Sequence, residues 1–323
     1  RALYLDIWEL VGVTCYDVKR LSDWNSWEHR FDDEIDSEES ALRCADEMLA
    51  SLGDTYTERM VPPVVALADA GSETKAEEKP SDVLGVLTPN NFGYLRISSF
   101  DDPKIVEMVD AAVKKIASCV GVILDLRQNS GGRMHEALAC CGYFVTNGLL
   151  ATLKFRHAEG EKVRQYFVNE DQFFAYEQEP NLPRSLDMYT RQPALLAGKP
   201  IVIILNRRTA SAGEMMICAL VQNGEVGKVH MVGSGTTPGK GIGQAVYELQ
   251  NSDVKIRVTR SHWFAPGGEW LGDCGQTEAN GIGPDTLVEN DRGREALKVA
   301  SDKLRAMLEE GAEPPTAASE TAA

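Results

Sequence analysis

The order of apolar and polar positions divides the chain into a helical start and a longer alternating region. Residues 2–60 have the apolar spacing of helices, and the segment DSEESALRCADEMLASLG places its apolar side chains on one stripe. Asp36 precedes this apolar run and Glu39 follows three residues later, which is the spacing of a helix-capping box. The pattern predicts an N-terminal helical domain over residues 1–60.

From residue 93 onward, apolar runs typical of strands alternate with segments at helical spacing. The strand-like runs are GYLRISSF, VGVILDLR, PIVIIL, VHMVG and QAVYEL, and the helical ones are DPKIVEMVDAAVKKIAS, MHEALACCGYFV and SAGEMMICALVQNG. Uninterrupted apolar strands are typical of a sheet that is covered on both faces. The alternation predicts an α/β core with a largely parallel sheet over residues 93–309.

Two polar stretches flank this core. Residues 61–92 are rich in charge, Gly and Pro, which is typical of a linker, with a short strand VLGVL near its end. Residues 310–323 are a low-complexity segment, for which we expect a disordered tail.

Composition removes several classes of function. The net charge of −16 and a pI of about 4.8 argue against nucleic-acid binding, because an acidic surface repels phosphates. No apolar run reaches the ~18 residues of a membrane span. The seven cysteines show no C-x-x-C spacing and mostly lie in apolar segments, so we expect buried free thiols and no metal site.

One candidate for chemistry lies in the stretch RRTASAGEMM, directly after a predicted strand. Ser211 stands at the start of a helix, where free N–H groups and the helix dipole favour negative charge. The N–H of Ala212 would then stabilise the oxyanion that forms when a serine attacks a carbonyl. For a serine considered alone, helix capping is the commoner role, and the G-x-S-x-G pattern is absent.

A base for this serine is not obvious among the histidines, which are scattered along the chain. A lysine can serve if burial or positive charge lowers its pKa. Lys240 is the candidate, because it stands in TTPGKGIGQ between two predicted strands, where Gly239 and Gly241 allow close backbone approach. The alternative is an exposed hairpin lysine.

Five blocks in one order resemble the carboxy-terminal processing peptidases, also called tail-specific proteases. They are LASLGDTYTERM, GYLRISSF, VILDLRQNSGG, IVIILNRRTASAGEMM with GSGTTPGKGIGQ, and APGGEW with GIGPDTLVEN. The resemblance implies a crotonase/ClpP-like catalytic core and a serine endopeptidase that acts on unfolded or C-terminal protein segments without metal or cofactor. It implies that Ser211 is the nucleophile, Lys240 the base and Gln244 an assisting residue. The implied oxyanion donors are Ala212 with Gly131 or Gly132, and Glu214 is a supporting carboxylate.

The chain departs from this family in three respects. The spacing of 29 residues from Ser211 to Lys240 is a few residues longer than the resemblance implies, and GSGTTPGKG stands where the family more often has an acidic residue after the first glycine and an aromatic residue before G-K-G. The third is a missing domain. Members typically carry a PDZ domain where residues 61–92 stand here, and this segment is too short for one, so we expect a linker in its place. A catalytically silent ligand- or peptide-binding module on the same fold and an acyl-thioester enzyme stay open as alternatives. Homo-oligomer formation is open too. The resemblance favours an extracytoplasmic location, whereas unpaired cysteines and the lack of a signal peptide in this sequence leave a cytoplasmic one open.

Overall fold

A computed structural model describes residues 1–61, 81–223, 226–250, 252–290 and 294–312 of the chain. Gly224, the last residue of the predicted helical segment SAGEMMICALVQNG, lies outside the described residues, as do most of the linker 61–92 and the tail from residue 313. Within the described part of the chain, no helix is both long and apolar enough to cross a membrane.

Six α-helices, two short 3-10 helices (Val18–Leu21 and Trp24–Trp27) and thirteen strands make up the described fold. The helices are α1 (Ala2–Thr14), α2 (Glu38–Ala50), α3 (Ile105–Ile116), α4 (Met134–Cys141), α5 (Ala212–Gln222) and α6 (Glu295–Ala312). The strands are β1 (Glu58–Met60), β2 (Val83–Leu87), β3 (Phe92–Ile97), β4 (Gly121–Asp125), β5 (Gly148–His157), β6 (Gly160–Val168), β7 (Phe173–Gln178), β8 (Ser185–Tyr189), β9 (Ile201–Leu205), β10 (Val229–Gly233), β11 (Ile242–Glu248), β12 (Lys255–Phe264) and β13 (Thr286–Leu287).

One sheet is the parallel sheet that the apolar runs predict. Its six strands lie in the order β13-β10-β9-β4-β3-β2, and every neighbouring pair is parallel except β2 with β3. Strands β4 and β9 are buried along their whole length, because helices cover both faces. The predicted α/β core with a largely parallel sheet is therefore confirmed, and VLGVL is its edge strand β2.

The other sheet is antiparallel, and the alternation of strands and helices gave no sign of most of it. Strands β5, β6, β7 and β8 pair in chain order, and β12 connects β5 to both β1 and β11. Strand β12 is ten residues long and carries the N-terminal helices, whose apolar side chains pack against Ile256 and Val258. The N-terminal helical segment thus contacts the core directly, next to the strands that lead away from Lys240.

The start of helix α2 differs from the expected capping arrangement. The N-cap is Ser37, whose hydroxyl accepts a hydrogen bond from the N–H of Ser40 at 3.1 Å, and Ser40 completes the capping box. Asp36 lies one residue outside and accepts a hydrogen bond from the Ser40 hydroxyl. The assignment of Asp36 and Glu39 as the capping pair is wrong by one residue, because two serines three apart satisfy the same geometry.

Candidate active site

Ser211 lies at the point where strand β9 turns into helix α5. Its φ of +53° and ψ of −119° fall in a region that residues with a side chain seldom adopt. A strained turn between a strand and a helix presents a nucleophile at the carboxyl edge of a sheet. The Ser211 backbone is half-buried, and the helix that follows it is buried almost throughout.

The loop after β4 packs against this turn. Thr209 donates to the carbonyl of Leu126 at 2.9 Å, and the Ala210 N–H donates to the Asn129 carbonyl at 2.8 Å. Gly131 has a φ of +106°, and a Cβ there would lie 2.8 Å from the Ser211 Cβ. The absence of a side chain at Gly131 therefore lets the two loops meet at the serine.

The two glycines proposed as oxyanion donors differ in this structure. The Gly131 N–H donates to the Asn129 side chain at 2.9 Å, so that N–H is occupied. No hydrogen bond found among the described residues uses the N–H of Gly132 or of Ala212. Among the donors that the resemblance implies, those two N–H groups have no acceptor in the described residues.

Glu214 joins the serine loop to the lysine loop. This fully buried carboxylate accepts from the Ser211 N–H and the Lys240 N–H through the same oxygen, at 2.8 Å each. Its other oxygen accepts from the Gly239 N–H at 2.8 Å and the Thr237 hydroxyl at 2.5 Å. The backbone nitrogens of Ser211 and Lys240 are consequently no farther apart than twice 2.8 Å.

Burial and hydrogen bonding have opposite effects on the pKa of Glu214. Burial raises the pKa of its carboxyl above the ordinary value, and the hydrogen bonds from Thr237, Lys240, Gly239 and Ser211 oppose that rise. An acceptor surrounded by four donors is unsuited to taking a proton from Ser211. We therefore interpret Glu214 as the clamp of the two loops.

Lys240 is half-buried in the turn between β10 and β11. Gly239 and Gly241 let the backbone approach closely, since a Cβ would meet the Leu271 carbonyl at 2.4 Å and the Trp270 ring at 2.7 Å, respectively. The Trp263 indole donates to the Lys240 carbonyl at 2.8 Å. These contacts do not fit an exposed hairpin lysine.

The surroundings of the Lys240 side chain change the pKa of its ammonium. Burial lowers the pKa of its ammonium, and the positive charge of Arg257 lowers it further, while Cys274 and Glu214 act in the opposite direction. Its Nζ lies 4.6 Å from the centroid of the Tyr56 ring. Within the residues that the structure covers, no hydrogen bond joins Lys240 to the Ser211 hydroxyl.

Gln244 contacts the backbone of Tyr56, the residue whose ring lies against the Lys240 side chain. Residues four apart share a face where the chain is extended; β11 begins at Ile242 and runs unbroken through Gln244, and the extra residue in its pairing with β12 is Arg260 on β12. The Gln244 amide donates to the Tyr56 carbonyl at 2.9 Å. The shared orientation of Lys240 and Gln244 stays a prediction.

Sequence reasoning assigned no role to several residues that organise this site. Asn129 shapes the glycine loop, Thr237 binds Glu214, Trp263 holds the lysine backbone, and Tyr56 covers the lysine side chain. Asn129 and Tyr56 stand in blocks that carried the family resemblance, which was the available signal. In the described part of the chain, no group of three or more His, Cys, Asp or Glu side chains has a metal-binding arrangement.

Comparison with known proteins agrees with this architecture. Residues 91–288, more than half of the chain, match the model of Peptidase family S41. The carboxy-terminal processing protease CtpA of Bacillus subtilis is 28% identical over 192 residues, which cover 58% of this chain and 34% of that protein. The carboxy-terminal-processing protease of Bartonella bacilliformis is 25% identical over 205 residues, covering 62% and 39%. This chain thus spans between a third and two fifths of the length of these relatives.

Solved structures share the fold over nearly the whole chain. The photosystem II D1 C-terminal processing protease superposes with a TM-score of 0.62 at 17% identity, covering 89% of this chain and 92% of that one. A lipoprotein from Streptococcus agalactiae gives a TM-score of 0.63 at 15% identity, covering 94% and 96%. With the family match over residues 91–288, these observations establish that the chain belongs to Peptidase family S41.

Proposed function

We propose that this chain is a serine-type peptidase that hydrolyses peptide bonds in unfolded or C-terminal segments of proteins. Ser211 is the nucleophile and Lys240 is the general base. The observation that supports this most is the single oxygen of Glu214 that accepts from the N–H groups of both residues at 2.8 Å. A buried carboxylate that binds both backbones brings the two loops together as a serine–lysine pair requires.

Lys240 carries the proton in both halves of the reaction, first as a base and then as an acid. Neutral Lys240 takes the proton of Ser211 as its Oγ bonds to the carbonyl carbon of the substrate. The protonated lysine then gives that proton to the amine as the C–N bond breaks, which leaves an ester on Ser211. Lys240 next takes a proton from water, which attacks the ester, and returns it to the Ser211 oxygen as the acid product leaves.

The oxyanion of both tetrahedral intermediates is bound by the N–H groups of Ala212 and Gly132. Gly131 was the other candidate, but its N–H donates to Asn129 and is occupied. Two donors in a site protected from water stabilise the developing charge. Glu214 and Gln244 support the pair, Glu214 through the backbone of both loops and Gln244 through its hydrogen bond to the Tyr56 carbonyl.

The substrate class rests on the fold and on the names of the relatives. The Bacillus subtilis relative and one of the solved structures with this fold are named carboxy-terminal processing proteases. An unfolded segment is the natural substrate for a site at the edge of a sheet, because the peptide must extend past the serine to present its carbonyl.

The test combines proteolysis with labelling of the serine. We expect wild-type protein to degrade unfolded casein and to react with a fluorophosphonate probe at Ser211. Ser211→Ala and Lys240→Ala should each lower the rate by about 10⁴-fold or more, because the members of such a pair act as a unit. Lys255→Ala, which removes an exposed lysine paired with Glu248, is the control and should behave as wild type.

Two outcomes would contradict the proposal. Casein cleavage that persists in Ser211→Ala would place the nucleophile elsewhere. No cleavage and no labelling by folded wild-type protein, together with saturable peptide binding, would favour the binding-module alternative.

A further inference from the structure

We infer that Tyr56, which lies in the loop between helix α2 and strand β1, is a positioning residue for Lys240. Its ring covers the lysine Nζ and connects the base to the N-terminal helices. The inference rests on the proposed function, since it assigns a partner to the proposed base. It also gives a role to the block LGDTYT, which the reaction steps do not use.

The geometry between the two side chains is that of a cation–π contact. Lys240 Nζ lies 4.6 Å from the ring centroid, within the roughly 6 Å over which a ring face attracts a cation. The ring keeps water from one side of the amine, which favours the neutral base. Its face also accepts the positive charge that develops when Lys240 takes the proton of Ser211.

Three contacts fix the ring at this place. The Gln244 amide donates to the Tyr56 carbonyl at 2.9 Å, and the Tyr56 N–H donates to the Asp54 carboxylate at 3.0 Å. The Tyr56 hydroxyl interacts with the Cys274 side chain; burial raises the pKa of that thiol, and this interaction lowers it. Gln244 therefore acts on the lysine through Tyr56.

The loop that carries Tyr56 is itself anchored on both sides of the lysine turn. Buried Asp54 accepts from the Thr57 hydroxyl at 2.6 Å, and that hydroxyl accepts from the Thr259 N–H on β12 at 3.0 Å. The Gln276 side chain accepts from the Thr55 N–H at 2.7 Å. Tyr56 therefore covers Lys240 only when the segment before residue 61 is docked on β12 and on the segment near residue 276.

The charges around Lys240 define the sign of the effect. Arg257 favours the neutral lysine, whereas Glu214 and Cys274 favour the charged one, and burial has the largest influence. Desolvation shifts a lysine pKa by up to several units, whereas a cation–π contact is worth about 0.5–2 kcal/mol, so desolvation dominates. Removing the ring admits water and raises the pKa of Lys240.

The experiment uses the full chain and measures the rate of fluorophosphonate labelling against pH. For Tyr56→Ala we expect the acid limb to move up by about one pH unit and the rate at pH 7 to fall about tenfold. Tyr56→Phe keeps the ring and should stay within about threefold of wild type. Tyr176→Ala is the matched control, because it removes a ring that lies 3.7 Å from Arg184 in the β6–β8 region.

A measurement on the wild type covers the case in which Tyr56→Ala does not fold. In NMR spectra of protein that contains ¹³Cε-labelled lysine, the Cε methylene protons of Lys240 should be shifted upfield by the Tyr56 ring. Their signal is assigned because it is missing from the spectrum of Lys240→Ala. Fluorophosphonate labelling of Ser211 that persists in Lys240→Ala would overturn the proposed function. An unshifted Lys240 signal, or a Tyr56→Ala profile equal to that of wild type while Lys240→Ala is inactive, would overturn this inference alone.

Discussion

The serine side and the lysine side of the candidate site are built differently. The serine side, residues 126–133 and 206–214, is set by backbone geometry at the ends of two adjacent buried strands, with Asn129 and Glu214 fully buried. The lysine side, residues 234–241, depends on half-buried side chains that arrive from distant parts of the chain, such as Tyr56. We expect changes on the serine side to abolish activity and changes around the lysine to shift its pH dependence.

Removal of the clamp between the two sides should have the largest effect. Glu214→Ala leaves three backbone N–H groups without their acceptor, at about 1–3 kcal/mol for each one that stays unsatisfied. We expect unfolding in urea to show a loss of about 3 kcal/mol or more, and labelling of Ser211 to fall by at least about 100-fold.

The matched control for this substitution is Glu136→Ala. Glu136 also lies in the first turn of a helix that follows an active-site loop, but it pairs with Arg133 at 2.6 Å near the surface. Its loss should cost about 1 kcal/mol at most. Equal effects of the two substitutions would contradict the assignment of Glu214 as the clamp.

A single methyl group on the serine side should be nearly as damaging. Gly131→Ala would bring a Cβ to 2.8 Å from the Ser211 Cβ and 3.0 Å from the Ala212 nitrogen. Because the displaced atoms carry the nucleophile and an oxyanion donor, we expect kcat to fall about 100-fold.

Gly268→Ala separates this contact from backbone strain. Gly268 has a φ of +94°, similar to the +106° of Gly131, but a Cβ there would meet nothing within 4 Å. It should lose about 1–2 kcal/mol of stability and keep its activity. If kcat falls equally in both variants, then steric contact with Ser211 is not the cause.

The same contrast explains what could be predicted from the sequence. Strands β4 and β9 and the helices after them are encoded locally, by apolar runs followed by helical spacing, and Ser211 is found from its place at their junction. Neighbouring strands then bring the glycine loop to the serine, so this half of the site follows from the topology.

The surroundings of Lys240 could not be predicted in this way. Tyr56, Trp263 and Cys274 reach the lysine turn from three separate segments, and no periodicity relates them to it. Strands β5–β8 were not predicted for a related reason. Strands of an antiparallel sheet with one exposed face lack uninterrupted apolar runs, and their positions depend on the strands with which they pair.

The smallest expected effect tests whether the lysine side tunes the base by charge. Arg257 lowers the pKa of Lys240 and forms an ion pair with Glu58. Arg257→Met removes a positive charge, which favours protonated Lys240 and raises its pKa. The acid limb of kcat/KM should therefore move to higher pH, by about 0.3–0.5 unit at low salt.

Glu58→Gln should have the opposite sign. It leaves the charge of Arg257 without its partner, so the pKa of Lys240 falls and the acid limb moves to lower pH. Both shifts should shrink in 0.5 M salt, because the two charges are partly exposed. Shifts of the same sign in both variants would show that packing, and not charge, controls the lysine, which would make the two sides of the site alike after all.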